Sequence, residues 1–174
     1  MRIWLSLVAV AACSDPAPTI LTDAAPQPDA DETVDCLIEG DYGALGTVTG
    51  TAAMGGMTAT LDPGPPRDSF YLKLVSGKGA FSGGLATGTF TISGADASYT
   101  NCGLCVHIIA DIVTGQGPSK FYFAESGTVT LTSTAAPISG SAQNLHLRSV
   151  DINTGELVDD GCEATIASMT FSTN

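Results

Sequence analysis

The side chains with the greatest chemical reach in this 174-residue sequence are five cysteines and two histidines. The closest-spaced pair is Cys102-Gly103-Leu104-Cys105. Two thiols at that spacing can act as a redox dithiol, form half of a zinc site, or close a short structural disulfide. A thioredoxin-type pair sits at a helix start, where the helix dipole lowers the thiol pKa; here an alternating strand pattern follows. Zinc needs two further ligands, and neither a second C-x-x-C nor an H-x-x-x-H is present. The expected chemistry is therefore structural. Cys36, Cys102, Cys105 and Cys162 form an even set of disulfide candidates, with all three connectivities open.

Catalytic constellations are harder to find. His107 and His146 both lie inside strand patterns, where a single histidine is usually a surface or half-buried residue. A catalytic site would have to be assembled from residues distant in sequence, with His107, Asp111 and Glu125 as its members. The run Asp151-Ile152-Asn153-Thr154-Gly155 opens like a calcium loop, with Asp159 close behind. Glu156 nevertheless stands where a glycine is expected and Cys162 where a bidentate glutamate is expected. A hairpin turn is the better reading, and no metal is expected. G-x-S-x-G, S-x-x-K, H-E-x-x-H, P-loop and G-x-G-x-x-G motifs are absent. Only Tyr42, Tyr71, Tyr99 and Tyr122 could stack against a sugar ring, since the one tryptophan is Trp4. The expectation is no catalytic residue, no cofactor and no enzyme; a secreted enzyme or a small-ligand or carbohydrate-binding module is the alternative.

Charge narrows the partners. The net charge is −12, and residues 34–174 carry 13 acids against 5 bases. Such a surface repels polyanions, which argues against nucleic acid. Acidity of this kind keeps a sheet protein soluble when only 14% of its residues are charged.

The amino end reads as an address. Arg2 precedes an apolar run from Ile3 to Ala12, about half the length a membrane-spanning helix needs. The run fits a short secretory signal peptide over 1–12. Its end, Val10-Ala11-Ala12-Cys13, resembles a bacterial lipobox. That resemblance implies diacylation of the Cys13 thiol, cleavage before it, and a membrane partner held through the lipid. Ser14, in place of Asp after the cysteine, suggests the outer membrane by the enterobacterial sorting rule, on the periplasmic face or the cell surface. Residues 13–33 then form a tether rich in Pro, Asp and Ala, with almost nothing to bury.

From residue 34 to 174 the elements that must hold any site are strands. Apolar and polar residues alternate over 46–52, 57–61, 68–75, 88–93, 104–113, 119–124 and 128–132. Turn signals such as Asp62-Pro63-Gly64, Ser76-Gly77-Lys78-Gly79 and Asn153-Thr154-Gly155 separate the runs. Between 145 and 152 the apolar phase slips, which predicts a β-bulge near Ser149. No stretch keeps helical spacing over three turns. The fold class is all-β, an antiparallel sandwich or flattened barrel of roughly nine to ten strands. The tetrads GTVT (46–49), GTFT (88–91) and GTVT (127–130) are read as strand-starting chemistry in preference to an internal repeat.

The stretch Tyr99-Thr-Asn-Cys-Gly-Leu-Cys-Val, followed by Phe121-Tyr-Phe-Ala-Glu-Ser-Gly-Thr-Val-Thr-Leu and by Gly161-Cys162, resembles a group of myxobacterial secreted lipoproteins of uncharacterised function. The resemblance covers about residues 95–165 and implies an exported β-domain without implying an activity. The expected role is that of an exported lipoprotein whose disulfide-stapled domain serves a structural or binding purpose at the cell envelope.

Overall fold

The computed structural model describes residues 40–159 and 161–174. The expected signal peptide, the lipidated Cys13, the tether and Cys36 lie outside the described residues. Nine strands follow in chain order: β1 (Gly40–Asp41), β2 (Ala44–Ala53), β3 (Gly56–Asp62), β4 (Arg67–Leu74), β5 (Gly88–Thr91), β6 (Leu104–Ile112), β7 (Lys120–Ser133), β8 (Ser139–Ser149) and β9 (Glu163–Thr173). Single 3-10 turns at Gly79–Phe81 and Gly94–Ala97 are the helical pieces among the described residues.

The all-β expectation holds, and the barrel is the form it takes. β2, β3, β4, β6, β7, β8 and β9 pair in that order, and β9 returns to β2 to close the ring. Closure satisfies the backbone edges that an open sheet would leave exposed. The ring is antiparallel except at the closing pair, where β2 runs parallel to β9, with Thr47 opposite Thr170 and Val48 opposite Phe171. β1 extends the same parallel edge at Gly40 and Ala164. β5 pairs with the second half of β7, beyond the part of β7 that β6 covers.

Alternation along each strand fills the interior. Met57, Phe70, Leu72, Val106, Ile108, Tyr122, Val129, Leu147, Ile166 and Phe171 are all buried in one continuous core. Two details of the strand reading change. Segments 119–124 and 128–132 are one strand, β7, bent by bulges between Ala124 and Thr128. Gly127 takes a φ of +128° there, and a side chain at that position would collide with Leu145 and Asn144. The slip expected near Ser149 is a strand end, since β8 stops there and Val150 joins a separate cluster outside the main core; a bulge lies earlier, at Asn144 (φ +50°), where the inward set moves from Ala142 to Leu145. β9 slips at the same level, from Ile166 to Met169, so the β8–β9 register runs unbroken while both strands change face. β8 then ends at Ser149, and Val150 bridges to Leu157 across a turn.

The GTxT tetrads also read differently in three dimensions. Only 88–91 begins a strand, because 46–49 and 127–130 lie inside β2 and β7. Their threonines pair across strands instead, Thr89 with Thr130 at 3.0 Å and Thr47 with Thr170 at 2.9 Å between hydroxyls.

Candidate functional site

Outside the barrel wall, a second and smaller apolar cluster holds Cys102, Cys105, Phe123 and Val150, with Tyr99 packed against it. Along β6 the odd-numbered residues face away from the core, which brings Cys105 and His107 to the outer surface. Register then sets Tyr71 of β4 on one side of His107 and Phe123 of β7 on the other. Tyr99, from the segment leading into β6, closes over them. The His107 ring centre lies 5.6 Å from that of Tyr71, 5.5 Å from Tyr99 and 5.1 Å from Phe123. Edge-to-face packing, as Tyr99 and Phe123 make with His107, is favourable for neutral rings. Burial, with Lys73 adding a like charge, pushes the His107 imidazole down to about 4. At neutral pH it is an uncharged aromatic.

Cys102 and Cys105 are joined by a disulfide, with Cα atoms 5.3 Å apart. Both are buried in the same cluster as Phe123 and Val150. The disulfide pins the loop carrying Tyr99 to the start of β6. Tyr99 in turn donates from its hydroxyl to the Ile152 carbonyl at 3.1 Å, and its ring lies against Gly155. The 150–158 turn is thereby drawn onto the outer face. Cys162, buried at the start of β9, is also disulfide-bonded.

The three residues considered for catalysis are not brought together. Asp111 pairs with Lys120 at 3.8 Å and accepts from the Ser119 hydroxyl at 3.3 Å. Glu125 pairs with Arg148 at 3.8 Å. His107 is held by rings rather than by either carboxylate. His146 makes its own contact, 3.0 Å from Glu163. The Asp151 carboxylate is spent on its turn, accepting from the amides of Asn153 at 2.7 Å and Thr154 at 3.0 Å. Those two amides pull its pKa below the ordinary carboxylate range. Asn153 and Asp159 are exposed beside it, and no group of three or more His, Cys, Asp or Glu suited to a metal ion occurs among the described residues.

Of the four tyrosines, Tyr122 is in the core, and Tyr42 donates to Asp68 at 2.7 Å. Burial and this carboxylate hold the Tyr42 phenol well above its usual pKa. An open surface hollow of about 720 Å³ lies between Pro63–Arg67 and the Ile112–Gly117 turn.

Sequence reasoning missed Asp96. Its buried carboxylate accepts from the backbone of Gly103 at 2.8 Å, Leu104 at 2.9 Å and Ala80 at 2.8 Å. It ties both 3-10 turns to the start of β6. The one signal was its place between Gly94 and Ala97, a turn rather than a strand pattern.

The chain matches no family model, no curated protein and no solved structure.

Proposed function

We propose that this protein is an exported bacterial lipoprotein, anchored to the outer membrane through acylated Cys13, and that its barrel has a non-catalytic structural or binding role at the envelope. The observation that carries the export half of this reading is oxidation. Cys102, Cys105 and Cys162 are all disulfide-bonded, which suits an oxidising compartment outside the cytoplasm. The lipobox-like Val10-Ala11-Ala12-Cys13 and the Pro- and Asp-rich segment after it supply the means of delivery and attachment. The resemblance to myxobacterial secreted lipoproteins points the same way.

Support for a non-catalytic role comes from how the ionisable side chains are used. Glu125, Asp111 and His146 each have a separate local partner, and His107 serves as a ring in an aromatic cluster. A general base needs a proton to take and an acid or orienting group within reach. Asp111, Glu125 and His107 are spent on the fold.

Fractionation tests the anchoring. Wild-type protein should be recovered from the outer-membrane fraction, and a Cys13→Ser variant should be released from it. Equal membrane recovery of both would overturn the lipid anchor, and recovery of wild type from the cytoplasm would overturn export.

A further inference from the structure

We infer that copies of this protein stack head to tail, the apolar tip at one end of the barrel seating in the proline-lined hollow at the other. The tip is built from three uncharged turns. Residues 52–56, 82–88 and 133–138 contain no Asp, Glu, Lys or Arg. They meet around a hollow of about 370 Å³, with Leu85 at its rim 43% exposed. Met54 stands beside it, 82% exposed. Methionine is a poor choice for that place. In the two-residue turn between β2 and β3, Met54 and Gly55 take φ of +40° and +78°, a left-handed pair that suits Asn, Asp or Gly. Met54 therefore bears backbone strain and holds an apolar side chain in water. No contact among the described residues offsets either cost, whereas a partner that buries the side chain does.

The opposite end supplies the seat. Strand register brings the β3–β4 turn beside the β6–β7 turn there, with Arg67 opposite Ile112 and Ala110 opposite Lys120. The open hollow of about 720 Å³ between them is walled by Pro63, Pro65, Ile112 and Val113. An adjoining hollow shares Pro65 and Val113 and carries the apolar surface on to Pro66 and Pro118. A flexible thioether side chain adapts well to so irregular a cleft.

Charge selects a second copy as the occupant. Asp41, Asp62, Asp111, Asp151, Glu156 and Asp159 gather at the hollow end, against Arg67, Lys120 and Arg148. Toward the tip stand Lys73 and Lys78, both exposed. Asp96 on that side is buried, and its oxygens accept backbone amides. Tip against hollow therefore joins opposite charges, while hollow against hollow sets acids together. Because the two surfaces lie at opposite ends, the contact is heterologous and propagates along a row of copies. This assembly goes beyond the anchoring proposal and does not depend on it.

Photo-cross-linking tests it in cells making the full-length chain, with p-benzoylphenylalanine in place of Met54. The expected product is a dimer in which the reactive ring is linked to residues 63–67 or 112–118 of a second copy. Absence of a self-linked product, a link to 52–56 or 82–88 of the second copy, or capture of only a lipid or another protein would overturn the inference. Co-precipitation of two differently tagged full-length copies gives an independent check. Recovery should fall at least about tenfold when both copies carry Met54→Asp, or when both carry Val113→Asp. It should return when one copy carries each, since each keeps the surface that the other lacks. Both side chains are exposed, so neither change touches the core. Undiminished recovery in the matched pairs, or no return in the mixed pair, would contradict head-to-tail stacking.

Discussion

His107 shows how one residue can look catalytic in a sequence and prove to be packing. Its neighbours in the cluster, Tyr71, Tyr99 and Phe123, come from three different segments, so no local pattern announced the aromatic cluster. Because the imidazole titrates near 4 in the fold and near 6.5 when unfolded, the unfolded chain binds the extra proton first as pH falls. Stability from this residue is complete above about pH 6.5 and declines until about pH 4, by at most about 3 kcal/mol. In His107→Phe that decline should disappear, as urea midpoints measured between pH 7 and pH 4 would reveal; an unchanged pH slope would show that the ring is not the titrating group. Asp96 makes the opposite case, a plain turn residue that proves structural. Replacing it with Asn puts an NH₂ where a carboxylate oxygen accepted a backbone amide. The expected loss is about 2–3 kcal/mol, with faster hydrogen exchange at Ala80, Gly103 and Leu104.

At the scale of elements, the strands were legible because alternation is local and each strand has a wet face and a buried face. β4 and β6 came within a residue or two of their expected bounds. Bulges were less legible. The apolar slip after Leu147 proved to be the end of β8, and the bulge at Asn144 shows only against the register of the partner strand. β7 looked like two strands because its bend at Gly127 breaks the period. The disulfides give a prediction at this scale. Cys102–Cys105 closes a ring of four residues, so replacing both with Ser should lower stability by only about 2 kcal/mol. Thermal unfolding of the Cys102→Ser, Cys105→Ser double variant beside wild type should show that loss; an unchanged midpoint would count against the bond as a stabiliser of the fold.

For the molecule as a whole, the sequence pointed to an all-β sandwich or flattened barrel but not to the strand pair that closes it. The ring is sealed by pairing β2 with β9, near opposite ends of the domain and in parallel, a contact without a turn motif to betray it. The candidate site was less legible still: its residues were named, but their separation depends on which strand each neighbours and which way each face points. The proposed delivery rests on the sequence alone, on Arg2, the apolar run and Cys13. The most direct test is therefore the intact mass of the membrane-extracted protein before and after reduction. The account predicts a chain lacking residues 1–12, carrying a diacylglycerol-sized addition on Cys13 and gaining four hydrogens on reduction. An unlipidated chain that retains residues 1–12 and gains no mass on reduction would contradict it.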